Sequence, residues 1–298
     1  GTSEMGTGSD TLLGQIAAEI LGIPPEEIEI IRGDTETTPF CLGIWGSRVT
    51  TMAGKATQMA AEEMQKILAD AIAEKLEVNS KDLIFRDKRV LVQGAPEKSV
   101  NMADAIMLAI TQRGGQEVIT KAQYDAISEV IDEETGRGNY SQAWSFTAKF
   151  VEVSVNAETG TVEVENLVSA VDLGKAINPK GAEGQIEGSA QMGLGFALSE
   201  ECTWENGHPT NSTLVDYKMP ASIDMPPVQP ILVESNDPYG PFGAKGLGEP
   251  PVALPPAAIG NAVADALQLR IHDMPITPER VYWKIQEQNE KPSGRDAT

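Results

Sequence analysis

Phe150-Val151-Glu152-Val153-Ser154-Val155, followed by Asn156-Ala157-Glu158-Thr159-Gly160 and then Thr161-Val162-Glu163-Val164, is the stretch whose reading decides the fold. Apolar and polar residues alternate on both sides of a turn that contains Asn and Gly. Each arm therefore turns one face to a core and the other to water, which predicts an antiparallel strand pair. Just before it, residues 132–141 are polar and contain glycine, and a domain boundary is expected there, giving domains 1–140 and 141–298.

On the N-terminal side, Leu12, Leu13, Ile16, Ala17, Ile20 and Leu21 recur at spacings of three and four, which predicts a helix capped by Ser9 or Asp10 and stopped by Gly22. The alternating Ile28 and Ile30 predict a strand running into Gly33-Asp34. Thr35 to Ser47 is aperiodic and holds Pro39, Gly43 and Gly46, so it reads as a loop. A long helix follows from Met52 to Leu76, then a hairpin at 83–85 and 90–92 and a helix at 102–110. Beyond the central strand pair, a glycine-rich helix is expected to start near Gly188, with a proline-rich loop from Met219 to Pro230 and a strand at 231–233. After a second glycine-rich loop at 240–248, two helices run from about Pro256 to Leu267 and from Thr277 to Gln288. Thr277 caps the latter, with Pro278 in its first position, and a frayed tail starts at Lys291. Strands and helices mix in each half without regular alternation, which is an α+β pattern and not a doubly wound one.

The 298 residues suffice for two compact units. Lys plus Arg number 23 against 44 Asp plus Glu, a formal net charge of −21, and so acidic a surface repels nucleic-acid backbones and anionic membranes. Cys41 and Cys202 are the only cysteines, too few for a disulfide framework or a closed zinc site, and a reducing cytoplasm is the natural setting. Both read as buried small hydrophobes. No apolar run reaches the roughly 18 to 20 residues of a membrane span, and no basic, apolar leader is visible. The opening Gly1-Thr2-Ser3-Glu4 lacks a Met, which implies a start further upstream or a cleavage.

His208 and His272 are the only histidines, and neither lies at metal-ligand spacing; no P-loop, GxSxG or HExxH is present. Both histidines are expected at the surface. Met52, Met59 and Met64 follow helical spacing and are expected in a core. Chemistry is instead expected at three glycine-rich loops that lead into helices: 6–10, 46–49 and 243–249. Main-chain N–H groups freed by glycine at a helix N-terminus cradle anions, and three such loops suggest a large ligand carrying phosphate or other oxyanions. In the third loop, Glu249 stands between glycines and Pro250-Pro251. A carboxylate so presented serves either as a general base or as a cap for the helix that follows.

Five motifs occur here in the same order as in the molybdenum hydroxylases, the family of xanthine dehydrogenase, aldehyde oxidase and nicotinate dehydrogenase. They are Glu4-Met5-Gly6-x-Gly8, Gly33-Asp34-Thr35 through Gly46-Ser47-Arg48, the 150–164 hairpin, Asn178-Pro179 through Gln185 to Gly195, and Gly243-Ala244-Lys245-Gly246-Leu247-Gly248-Glu249-Pro250-Pro251. The resemblance spans nearly the whole chain but only the C-terminal half of the family's molybdopterin-binding region. The chain thus resembles a split medium subunit, as in nicotinate dehydrogenase, or a proteolytic piece.

The resemblance implies that Glu249 is the catalytic base beside molybdenum and that Gln185 hydrogen-bonds the pterin. It also implies that Met5, Gly6 and Thr7 hold the cofactor's phosphate region through main chain, with Gly46, Ser47, Arg48 and Gly248 as further cofactor contacts. Thr7 and Met192 depart from the glutamines common in the family. The implied cofactor is a molybdenum-molybdopterin dinucleotide of the cytosine type with a terminal sulfido or selenido ligand. The implied partners are a larger molybdopterin subunit, an Fe-S subunit and a FAD subunit. The implied reaction is hydroxylation of an electron-poor carbon, in an N-heterocycle such as nicotinate or a purine or in an aldehyde, with oxygen from water. The rival reading is a scaffold or maturation subunit that grips cofactor or partner without turnover.

Overall fold

The structure is a computed structural model that describes residues 1–126 and 128–290; the tail expected to fray from Lys291 lies outside the described residues. The chain is α+β and divides into two compact units. The first comprises Gly1–Trp144, Gly174–Asn178 and Glu234–Gly246, and the second Ser145–Leu173, Pro179–Val233 and the chain from Leu247. A single cut near residue 140 does not describe this division, because two later segments return to the first unit. They are held together by a bridge between Gly174 and Ala244, by the Lys175 N–H donating to the Gly243 carbonyl at 2.8 Å, and by the Lys175–Glu234 ion pair at 3.1 Å.

In the first unit, α1 (Ser9–Leu21) lies against α2 (Val49–Leu76), and β1 (Leu83–Arg86), β2 (Arg89–Val92) and β3 (Ala95–Asn101) form an antiparallel sheet that leads into α3 (Met102–Gln112). Leu13, Ile16, Ile20 and Ala61 make the α1–α2 seam, and Ala69 and Ile72 of α2 pack on Leu83, Val90, Val92 and Val100 of the sheet. α1 stops at Gly22, whose φ of 63° suits a residue without a side chain; a Cβ there would also lie 2.4 Å from the Phe85 backbone.

Several expectations need correction. Ser9 and Asp10 fall inside α1 and do not cap it: the cap is Gly8, with no side-chain cap from that position. Ile28 is extended, with φ −95° and ψ 115°, but residues 28–32 join no sheet among the described residues, since alternation cannot make a strand without a partner. β3 was not expected, because Ala95-Pro96-Glu97-Lys98-Ser99 carries little apolar signal. Met59 is exposed, while Met52 and Met64 are half-buried. Cys41 is half-buried and Cys202 exposed, so neither is a core residue.

In the second unit, β4 (Thr147–Val155) and β5 (Val162–Asp172) form the expected antiparallel pair, with a register shift at Glu152/Val153. A third strand completes this sheet later in the chain. α4 (Pro179–Leu198) starts nine residues before Gly188, because Pro179 opens it and the glycines at 181, 184 and 188 are tolerated inside it. After the two-residue strands β6 (Trp204–Glu205) and β7 (His208–Pro209), β8 (Val228–Val233) pairs parallel with β5; it begins inside the segment expected to be loop. His208 and His272 are exposed. α5 (Pro255–Leu267) and α6 (Pro278–Glu290) close the core with Leu194, Ala197, Ile259, Val263, Ile276 and Val281.

The Thr277 cap of α6 is real: its hydroxyl oxygen accepts from the Arg280 N–H at 3.3 Å. Thr277→Ala is expected to lower the stability of the chain by about 1 kcal/mol, seen as a lower urea midpoint at unchanged slope.

Candidate functional site

The first glycine loop is built around Glu4. Its Oε1 accepts from the N–H groups of Met5 at 2.9 Å, Gly6 at 2.7 Å and Gly8 at 3.2 Å. Its Oε2 accepts from the Asp10 N–H at 3.1 Å and the Ser9 hydroxyl at 2.9 Å. Burial alone would raise the Glu4 carboxyl, but the hydrogen bonds from Asp10, Ser9, Gly6 and Gly8 outweigh it and bring it down to about 2. The loop does converge on an oxyanion, as its glycines suggested. That oxyanion, however, is the chain's own carboxylate, so the Gly6 and Gly8 N–H groups expected to meet a phosphate are already donated. Met5, Gly6 and Thr7 are exposed around it.

The second loop closes on itself. Trp45 Nε1 donates to the Leu42 carbonyl at 2.9 Å, and the Arg48 guanidinium lies 5.7 Å from the Trp45 ring centroid while Nη1 donates to the Gly43 carbonyl at 3.3 Å. Gly46 and Ser47 both have positive φ, 65° and 54°, before α2 begins at Val49. Trp45 and Phe40 are largely exposed.

The third loop is fixed by main chain. The Gly243 carbonyl accepts from the N–H groups of both Lys175 and Asp237, and buried Lys245 donates from Nζ to the Trp144 carbonyl at 2.9 Å. Ala176 N–H and then Lys175 hold the Glu234 carboxyl below the usual range. A Cβ at Gly246 would sit 1.9 Å from the Ser47 carbonyl oxygen, so the second and third loops touch, and only glycine permits the contact.

Beyond Gly246 the chain enters the second unit. Gly248 is half-buried and Glu249 is exposed. Glu249 opens a short 3-10 helix, Pro250–Val252, through its carbonyl, which accepts from the Val252 N–H at 3.0 Å; its side chain makes no cap bond. That turn packs on α4, which carries Gln185, half-buried, in its first two turns. Gly184 and Gly188, one helical turn apart, face open space where a Cβ would meet nothing within 4 Å. Glycine inside a helix costs about 1 kcal/mol relative to Ala. With no packing reason among the described residues, this bare strip suits the close approach of another molecule. Gly193 differs, since a Cβ there would lie 2.5 Å from Pro255 and part α4 from α5.

Ser47 meets the third loop at Gly246 within the first unit, while Gln185, Gly248 and Glu249 belong to the second. Sequence reasoning gave Glu4 no role of its own; the signal was a carboxylate two residues ahead of Gly-x-Gly. Among the described residues no group of His, Cys, Asp or Glu is placed to hold a metal ion, and no helix is long and apolar enough to cross a membrane.

These loops belong to a known class. The chain is a member of the molybdopterin cofactor-binding family, whose model, described as the molybdopterin cofactor-binding domain, matches residues 1–226. It is 34% identical over 289 residues to the putative xanthine dehydrogenase molybdenum-binding subunit of Escherichia coli, covering 95% of this chain and 36% of that one. It is 33% identical to the gamma subunit of the 6-hydroxypseudooxynicotine dehydrogenase complex of Paenarthrobacter nicotinovorans, covering 96% of this chain and 35% of that one. Among solved structures, quinoline 2-oxidoreductase from Pseudomonas putida superposes with a TM-score of 0.82 at 28% identity, covering 96% of this chain and 36% of that one. Reconstituted CO dehydrogenase from Oligotropha carboxidovorans gives 0.81 at 30%, covering 96% and 35%. The chain spans about a third of the length of the relatives it matches.

Proposed function

We propose that this chain supplies part of the molybdopterin pocket, and the catalytic carboxylate, of a multi-subunit molybdenum hydroxylase. The cofactor is a molybdopterin dinucleotide of the cytosine type with a terminal sulfido or selenido ligand. A larger molybdopterin chain completes the pocket, and Fe-S and FAD subunits carry electrons away. The substrate is an N-heterocycle, such as nicotinate or a purine, or an aldehyde. The residues fit such a group: Gly46, Gly184 and Gly188 leave main chain bare, with open space where a side chain would stand.

When bound, the molybdenum cofactor supplies the two-electron oxidant and a site where oxygen from water is activated. The chain's own part is positional and protonic. Glu249 takes up, at its carboxylate, the proton lost as the water-derived oxygen becomes a nucleophile. Gln185 hydrogen-bonds the pterin. Thr7, Gly46, Ser47, Arg48 and Gly248 orient the cofactor.

The observation that carries this reading is the presentation of Glu249. It stands exposed at a turn stiffened by Pro250 and Pro251, and it does not cap the helix it opens. Co-expression with a larger molybdopterin chain tests the reading. The expected result is a co-purifying complex with molybdenum by elemental analysis and a pterin nucleotide by mass spectrometry, while the chain alone binds no cofactor and self-associates. A monodisperse monomer that loads the cofactor unaided contradicts it.

A further inference from the structure

Six donors surround Glu4, counting the Thr7 hydroxyl 3.5 Å from Oε1, and they come from two elements. Oε1 takes the N–H groups of the loop, at Met5, Gly6 and Gly8, whereas Oε2 takes the first turn of α1, at Ser9 and Asp10. The Gly8 carbonyl accepts from the Leu12 N–H at 3.0 Å, so α1 starts there, and the carboxylate supplies from four to six residues away the acceptor that the first turn otherwise lacks. One side chain therefore pins the loop to the helix. It also sets what the loop shows: Gly6 and Gly8 take φ of 101° and 78°, their N–H groups turn inward to the carboxylate, and Met5 and Thr7 are left exposed.

Resting on the molybdopterin reading, we propose that Glu4 is a positioning residue for the cofactor loop: its carboxylate holds Met5 to Gly8 in the shape the cofactor meets and occupies the N–H groups that a phosphate would otherwise take. The loop then reaches the cofactor through its outer surface at Met5, Gly6 and Thr7. The opposite arrangement, in which Glu4 is a placeholder evicted by an incoming phosphate, requires a doubly used carboxylate to give up six donors at once, and charge-assisted bonds of this kind are about twice as strong as neutral ones.

Amide exchange on the full chain and cofactor content of the co-expressed complex test this together. Glu4→Ala is expected to speed exchange at Gly6, Gly8 and Asp10 by at least about tenfold. Formate, a free carboxylate small enough to enter the vacated nest, should restore protection. In the complex, Glu4→Ala should lose most of its molybdopterin and regain it with formate. Glu4→Gln keeps the volume with a single acceptor oxygen and should fall between, which guards against a Glu4→Ala chain that fails to fold. Unchanged exchange in both variants would overturn the proposal. So would a cofactor content that rises in Glu4→Ala and falls when formate is added, the signature of a placeholder. If even the unaltered complex carries no cofactor, the molybdopterin reading fails while the exchange data still decide what Glu4 does to its loop.

Discussion

Glu249→Gln is expected to lower turnover of the assembled enzyme by about 10² to 10⁴ while its molybdenum content stays near normal. The amide keeps the volume and polarity of the side chain but cannot take up a proton. The turn that Glu249 opens is closed by its carbonyl, which the substitution leaves in place. Equal thermal midpoints with collapsed turnover would place the effect in chemistry. Turnover retained within a few-fold would take Glu249 out of the mechanism and move the scaffold reading ahead.

Gly246→Ala should produce the second large effect, and a structural one. The new Cβ would lie 1.9 Å from the Ser47 carbonyl oxygen and 2.9 Å from Ser47 Cβ, and a backbone oxygen does not swing aside as a long side chain does. Overpacking of this kind costs about 1 to 3 kcal/mol. The thermal midpoint should fall, and the segment from Cys41 to Arg48 should be cut faster by protease, because the contact that ties it to the third loop is gone. A variant as stable and as resistant as the parent would mean that the two loops do not depend on each other.

The parts of the fold that were legible in sequence are those where local chemistry and tertiary outcome agree. The alternation from Phe150 to Val164 became β4 and β5, and Thr277-Pro278 opened α6, because in each case the side chains that carry the signal also make the contact. The misses have the opposite character. Ile28 and Ile30 alternate like a strand but find no strand to pair with among the described residues. The expected start of α4 near Gly188 misses its first turns, because Gly181 and Gly184 carry no apolar signal while Ile186, Ala190 and Leu194 hold the helix in the core. Ser9 and Asp10 are good caps by composition, yet the acceptor for their turn arrives from Glu4, further off than a capping rule looks. Glu249 was visible in sequence as a candidate carboxylate framed by glycine and proline. Glu4 was not, since its role exists only once the loop has closed back over it.

The return of Gly174–Asn178 and Glu234–Gly246 to the first unit bears on how this polypeptide is made. When the ribosome has passed Trp144, the first unit still lacks two of its segments, and about a hundred further residues must emerge before Gly246 can meet Ser47. At elongation rates of about 5 to 20 residues per second that is a delay of roughly 5 to 20 s. Until Ala244 emerges, Lys175 and its neighbours have no third loop to pair with, and the segment around Ser47 is unsupported. The nascent first unit is therefore a period of exposure for chaperones to cover, and a fragment ending at residue 144 is expected to be a poor substitute for the unit it begins.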